Sequence, residues 1–124
     1  MRHIMVVNAK GGSGKTTLAT NLASYFATQN KRVTMVDYDP QGSSLAWLDA
    51  RSPAKPPIRG IAGYKRNPER PRRDTDIVII DAPAAVHGAE LTKLVRKAET
   101  ILIPVLPSPI DMRAAKNFIA EIKS

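Results

Sequence analysis

The residues best suited to chemistry stand together near the start of the chain, where glycines precede a lysine and two threonines. Positions 9–17 read AKGGSGKTT. Glycines let the backbone come close to an anion and point successive N–H groups at it. Lys15 supplies a positive charge for the β- and γ-phosphates, and Thr16 supplies a hydroxyl that can ligate Mg²⁺ in a G-x-x-x-x-G-K-[ST] loop. The stretch therefore predicts a site for a nucleotide and its magnesium.

The flanking sequence predicts the elements that such a loop needs. Residues 2–8 form a short, β-branched apolar run that is typical of a buried parallel strand. Residues 15–29 repeat apolar side chains at helical spacing, so a helix begins where the glycines end and directs its N-terminal dipole at the same point. A flexible turn with a chance lysine is the alternative, but it does not explain the strand, loop and helix in this order. We expect eight consecutive residues to hold the phosphates: Lys10, Gly11, Gly12, Ser13, Gly14, Lys15, Thr16 and Thr17.

Two acidic residues follow a second predicted strand. Residues 32–37 are again largely apolar and end in Asp37, and Asp39 comes two positions later, before a Pro-Gln-Gly turn. Open α/β sheets carry their ligand chemistry at the ends of strands, so we expect these carboxylates to face the phosphate loop and its metal. An acidic turn without that role is the alternative.

A third acid follows the most apolar strand of the chain. Residues 76–80 include four consecutive β-branched side chains, and Asp81 comes directly after them. A carboxylate at this position of a P-loop enzyme holds Mg²⁺ through water. We expect Thr16, Asp37 and Asp81 to form the metal site, and the alternative for Asp81 is a structural role as the cap of the next helix.

These motifs resemble those of one enzyme family. The string KGGSGKTT is similar to the deviant Walker A loop of the ParA/MinD family of dimeric ATPases, whose signature is a second lysine, here Lys10. Ala9 stands where the general pattern has its first glycine. The string DYDPQG after the second predicted strand resembles the switch I of this family. The string DAP after the third predicted strand resembles its Asp-[Thr/Ala]-Pro motif. The resemblance implies that Lys10 reaches the nucleotide of a partner subunit, that Asp39 orients the attacking water and that Asp37 supports the water shell of the metal.

The composition excludes several classes of protein. The chain has no cysteine, which excludes disulfides and the iron–sulfur relatives in this superfamily. No run approaches the ~20 apolar residues that span a bilayer, and the first strand follows Met1 without a signal peptide, so we expect a cytoplasmic protein.

The formal charge is +8, and residues 51–73, which we call the basic segment, hold eight of the 19 basic residues, five prolines and one acid. We expect a loop inserted in the domain, with one short edge strand near 58–62, which either binds phosphate backbones or is a solvated surface loop.

The resemblance also implies an activity and partners. A ParA-like enzyme binds and slowly hydrolyses Mg-ATP, with Lys10, Lys15 and Asp39 as its catalytic residues, and forms an ATP-dependent homodimer on non-specific DNA. A partner protein stimulates it, and it positions plasmids, chromosomes or other cargo on the nucleoid. The alternative is a truncated or inactive nucleotide-binding module that acts on nucleic acid through its basic segment. A MinD-like membrane protein ranks lower because the last predicted helix has no basic flank, so we expect no membrane partner. The string DYDPQG, which resembles the family's switch I, argues against a small-molecule ligase or kinase.

The alternation of strands and helices predicts an α/β fold, a P-loop NTPase with a parallel sheet and helices on both faces. Residues 1–124 hold one domain at most, and because family members continue further, we expect an incomplete domain, either a fragment or a trimmed variant. A strand at 100–105 would then be a bare sheet edge and an aggregation liability. By analogy with the family, we expect the strands that contain Val33, Ile77, Ile4 and Ile101 to lie side by side in that order. Other helices are predicted at 43–50, capped by Ser43 or Ser44, at 88–98, and after Ser108 or Asp111.

Overall fold

Strands and helices alternate along the chain and build one parallel sheet covered by helices. The computed structural model describes residues 1–8 and 14–123. The elements in chain order are β1 (Arg2–Val6), α1 (Lys15–Thr28), β2 (Val33–Asp37), α2 (Ser43–Asp49), β3 (Ile58–Ala62), β4 (Ile77–Asp81), α3 (Gly88–Val95), β5 (Thr100–Leu102) and α4 (Pro109–Lys123).

The sheet has the order β3-β2-β4-β1-β5, and all of its pairings are parallel. The predicted order of the four main strands is therefore confirmed, and so is the edge strand in the basic segment. The registers pair Asp81 with Val6 on one side and with Asp37 on the other. The C-terminal ends of β1, β2 and β4 therefore lie level, and the loops that follow all three strands start on the same side of the sheet.

The core lies on both faces of this sheet because successive side chains of each strand point in opposite directions. One face packs Ile4, Met35 and Ile79 against the buried alanines of α1. The other packs Met5, Val78 and Ile80 against the apolar sides of α3 and α4. The near-continuous apolar strands are thus explained by burial on both sides.

Helix α1 packs against the sheet through its alanines. Ala19, Ala23 and Ala27 are buried there, whereas the larger apolar side chains at 18, 22 and 26 are only half-buried. Because alanine side chains are small, the helix can approach the sheet closely. The close packing fixes the start of α1, and with it Lys15, relative to the strand ends.

Several predicted elements are longer than the observed ones. β1 ends at Val6, β5 at Leu102 and α3 at Val95. Beyond α3, Lys97 and Ala98 donate to carbonyls three residues back, so the last turn is tighter than an α-helix. In α4, Ala115 and Phe118 are buried, whereas Ile119 is 41% exposed.

β5 lies at the edge of the described sheet, as expected from the sequence. Exposed apolar side chains follow it at Val105, Leu106 and Ile110. The expected self-association of the chain through this edge stays a prediction. No helix in residues 1–8 and 14–123 combines the length and hydropathy that crossing a bilayer requires.

Candidate functional site

Lys15 is fixed at the first turn of α1 by the residue before it. Gly14 has a φ of 82° and occupies the N-cap position, a left-handed conformation that glycine adopts without strain. The Lys15 side chain is only 6% exposed, and its ammonium forms an ion pair with Asp81 at the end of β4. It also lies 4.0 Å from a carboxylate oxygen of Asp39. The predicted phosphate-binding lysine therefore meets two of the three predicted acids.

The rest of the predicted phosphate loop is divided by what the structure describes. Thr16 is half-buried and Thr17 is exposed in the first turn of α1, next to Lys15. The hydroxyl of Thr20 donates to the Thr16 carbonyl at 2.9 Å, one turn further along the helix. Four predicted residues, Lys10, Gly11, Gly12 and Ser13, lie outside the described residues, and so does Ala9.

Asp37 is fully buried at the end of β2 and shapes the loop that follows. One of its carboxylate oxygens accepts the backbone N–H of Asp39 at 2.9 Å, and the other accepts that of Leu45 at 3.4 Å. These bonds tie the loop and the start of α2 to the sheet. Asp37 therefore holds the acidic loop in position, in addition to contributing charge.

The prediction that Ser43 or Ser44 caps α2 is wrong. Gly42, with a φ of 67°, occupies the N-cap position, and no side chain of the cap residue bonds to the helix. The reason is the Asp37 carboxylate, which reaches the helix from β2 and accepts the N–H of Leu45. Because an acceptor comes from the neighbouring strand, α2 needs no serine cap.

Asp39 is held by a tight turn of the same loop. Its carboxylate accepts the N–H of Gln41 at 3.0 Å, and its carbonyl accepts the N–H of Gly42 at 2.9 Å. The second carboxylate oxygen faces Lys15, and the side chain is 19% exposed. Of the three acids this one has the most contact with solvent, as a group that orients a water would need.

Asp81 is almost completely buried beside Lys15. Burial raises the pKa of its carboxyl above the ordinary value of 3.8, although the hydrogen bond and charge of Lys15 act in the opposite direction. The nearby charge of Asp37 raises that pKa further. The alternative that Asp81 caps the next helix is wrong, because α3 begins only at Gly88.

The donor set suits a hydrated magnesium ion. Among the described residues, two carboxylates, those of Asp39 and Asp81, face the ammonium of Lys15, and the charge of Asp37 acts on Asp81, so the site has surplus negative charge. Yet in the described part of the chain no three His, Asp or Glu side chains are grouped closely enough to bind a metal by themselves. Mg²⁺ usually keeps several waters and takes one or two carboxylates together with substrate phosphates. The arrangement therefore fits a metal that arrives with a nucleotide.

Sequence reasoning missed Ser44 as a site residue. Its hydroxyl is fully buried and has no partner at ordinary hydrogen-bond geometry within residues 1–8 and 14–123, and its weak contact with the Asp81 carboxyl lowers the pKa of that group less than any other cause does. A serine at the start of a helix looks like a cap in sequence. Only the position of Asp37 shows that this serine has no capping role.

The basic segment contains two kinds of positive charge. Arg51, Arg59 and Arg72 have structural partners: Arg51 donates to Pro56 and stacks over Trp47 at 5.3 Å, Arg59 pairs with Glu69, and Arg72 pairs with an acid two residues on. The contact with Arg51 thus gives the Trp47 ring a packing partner within the chain. The other five side chains are exposed and make no ion pair or hydrogen bond within the described residues: Lys55, Lys65, Arg66, Arg70 and Arg73.

Comparison with known proteins agrees with this geometry. The CobQ/CobB/MinD/ParA nucleotide binding domain matches residues 4–124. The maintenance of carboxysome distribution protein A of Halothiobacillus neapolitanus is 36% identical over 126 residues, which cover 98% of this chain and 58% of that protein. The chain spans about half the length of the curated relatives it matches.

Solved structures share the fold at low sequence identity. The structure of pNOB8 ParA bound to nonspecific DNA has a TM-score of 0.74 and 21% identity, covering 97% of this chain and 58% of that one. The cobyrinic acid a,c-diamide synthase of Mycobacterium smegmatis, solved with ADP and magnesium, has a TM-score of 0.75 and 21% identity over 99% and 67% of the two chains. Because the family match covers nearly all of the sequence, the chain belongs to the CobQ/CobB/MinD/ParA family of nucleotide-binding domains.

Proposed function

We propose that residues 1–124 form a P-loop nucleotide-binding domain, interrupted by the basic segment, of a ParA-like ATPase that is incomplete here. The whole enzyme binds and slowly hydrolyses Mg-ATP, dimerises on ATP and positions a plasmid, a chromosome or another large cargo on the nucleoid. The observation that carries this proposal is the convergence of Lys15, at the start of α1, with Asp39 and Asp81 at the ends of neighbouring strands.

The described residues take the following roles in this proposal. Lys15 binds the β- and γ-phosphates, Thr16 and Asp81 hold Mg²⁺, and Asp37 supports the water shell of the metal. The charge of bound Mg²⁺ stabilises negative charge on the phosphate oxygens. Because Lys15 already contacts Asp81, its ammonium exchanges a carboxylate for a phosphate and leaves Asp81 for the metal's water. Asp39 aligns the attacking water, supported by its turn and its partial exposure.

The remaining roles fall on residues 10–13, which lie outside the described residues, together with Gly14 and Thr17. The backbone amides of residues 11–14 surround the phosphates, Ser13 and Thr17 complete the loop, and Lys10 neutralises developing charge on the nucleotide of the partner subunit. The described part of the site contains no strong general base, so turnover is slow until a partner protein stimulates it. The resemblance in sequence at Lys10 supports the role of this residue across a homodimer.

Hydrolysis of ATP by substituted proteins tests these roles. Lys10→Ala should lower the stimulated rate about 10³-fold, as the loss of a charge-neutralising finger does. Asp39→Ala should lower it about 10²-fold, because water alignment is lost while the fold remains. Asp49→Ala, an exposed acid on α2, and Lys31→Ala, an exposed cation, are the matched controls and should leave the rate unchanged. Unchanged rates in both test variants would contradict the assignments.

A second candidate function is an inactive module that binds nucleic acid through the basic segment. Its support is the set of five exposed cations without structural partners, of which Lys65 and Arg66 share a cavity of about 540 Å³ with Lys93 and Lys97 of the α3 region. Such binding is electrostatic and weakens steeply with salt. Binding to duplex DNA with and without ATP separates the two functions. A ParA-like enzyme binds DNA only with ATP, whereas the inactive module binds equally well in both conditions.

A further inference from the structure

Ser44 has a buried hydroxyl that the fold itself does not use. The residue is 0% exposed, and its oxygen has no hydrogen-bond partner among the described residues. Leaving a buried hydroxyl unsatisfied destabilises a fold, so most such groups have either a structural partner or a functional reason. The structural reason is absent, because Asp37 already accepts the N–H at the start of α2.

The position of Ser44 is set by the same contact. The bond from Leu45 N–H to Asp37 holds the start of α2 against the end of β2, and Asp37 is the register partner of Asp81 on β4. Ser44 is therefore beside the two most buried acids of the site. The influence of its hydroxyl on the pKa of Asp81 agrees with this placement.

We propose that Ser44 is a positioning residue of the nucleotide site, whose hydroxyl donates to the Asp81 carboxylate when Mg-ATP is bound and Lys15 has moved to a phosphate. The inference rests on the proposed function. While Lys15 pairs with Asp81, the carboxylate has a strong donor and the serine has none. When the ammonium turns to a phosphate, the serine replaces it as donor and keeps the carboxylate directed at the metal's water.

This role has two consequences of opposite sign. Without nucleotide, Ser44→Ala removes an unsatisfied polar group from the interior, so the melting temperature should stay the same or rise. With Mg-ATP the variant lacks a hydrogen bond to a charged group, so affinity should fall about tenfold. A purely structural serine predicts the reverse, a lower melting temperature and an unchanged dependence of ATP affinity on magnesium.

The experiment measures ATP affinity of the purified protein in Mg²⁺ and in EDTA, together with melting temperature without nucleotide. Ser44→Ala should weaken binding about tenfold in Mg²⁺ only, and Ser44→Cys, which keeps a weak donor of similar size, should fall between it and the unsubstituted protein. Ser43→Ala, the exposed neighbour, is the control and should change neither quantity.

Each other result overturns the inference. Equal weakening in Mg²⁺ and EDTA, unchanged affinity in both, or failure of Ser44→Ala to fold assigns the serine to structure alone. If the unsubstituted protein binds no ATP, the proposed function fails, and the inference fails with it. Normal ATP binding with an unaffected Ser44→Ala contradicts only the inference.

Discussion

The chain holds two charged regions that differ in almost every physical respect. At the strand ends, one lysine and three acids are buried or nearly so, and each has partners at defined distances. In the basic segment, five cations are exposed and have no partner within the described residues. Charges of the first kind act one by one through geometry, whereas charges of the second kind act together and are screened by salt.

The largest effect is expected from breaking the buried pair. Lys15→Gln leaves the buried Asp81 carboxylate without its counter-charge, so the free energy of unfolding should fall by about 3–5 kcal/mol. The double variant Lys15→Gln/Asp81→Asn removes both charges and should recover most of that loss. Urea denaturation of the two proteins measures this, with Lys31→Gln as the exposed control, which should stay within about 0.5 kcal/mol. A double variant no more stable than the single variant would show that the pair is not the cause.

The exposed region should respond through salt rather than stability. Lys65→Ala/Arg66→Ala should weaken DNA binding and reduce the slope of log affinity against log salt by about two, if both side chains contact phosphates. The melting temperature should not change, because neither side chain has a described partner. Binding isotherms at several salt concentrations give the slope. An unchanged slope would indicate that the basic segment is a solvated surface loop that does not contact DNA.

Arg51 sharpens the comparison because it belongs to the basic segment but behaves as a structural residue. It donates to the Pro56 carbonyl and to Ser24, and stacks over Trp47. Arg51→Ala should therefore lower the free energy of unfolding by about 1 kcal/mol, from lost hydrogen bonds and ring contact. DNA affinity should change less than in the Lys65/Arg66 variant. The opposite ranking in these two measurements would contradict the division into paired and unpaired cations.

The smallest effect is the pH dependence that Asp81 contributes. Burial holds the pKa of its carboxyl above 3.8, so the folded chain binds more protons than the unfolded chain in the window that begins at pH 3.8. The contribution of Asp81 to stability therefore falls as pH rises through this window. Asp81→Asn has no such titration, so its stability relative to the unsubstituted protein should increase with pH. A difference that decreases with pH would assign Asp81 a lowered pKa instead.

Much of the fold could be predicted because local patterns agree with the final packing. The apolar strands follow from short local patterns, whereas the order of four of them followed from the resemblance to the family. The ends of β5 and α3 could not be predicted, since they depend on where a neighbouring strand or turn stops the hydrogen bonding.

The site was predictable in its residue types but not in its contacts. The sequence indicated Lys15 and the three acids through their places after strands and before a helix. It gave no sign that Asp37 reaches across to α2, because that bond joins residues on different elements. For the same reason it assigned Ser44 a capping role, which the Asp37 carboxylate makes unnecessary.

The most direct test of the account is equilibrium binding of ATP to the purified chain, titrated in Mg²⁺ and followed by calorimetry. The unsubstituted protein should bind ATP saturably, with an affinity that falls when EDTA removes the metal. Lys15→Gln/Asp81→Asn, which avoids an unpaired buried charge, should fold and bind no ATP. Absence of binding by the unsubstituted protein, or equal binding by the double variant, would contradict a nucleotide site built from Lys15 and the strand-end acids.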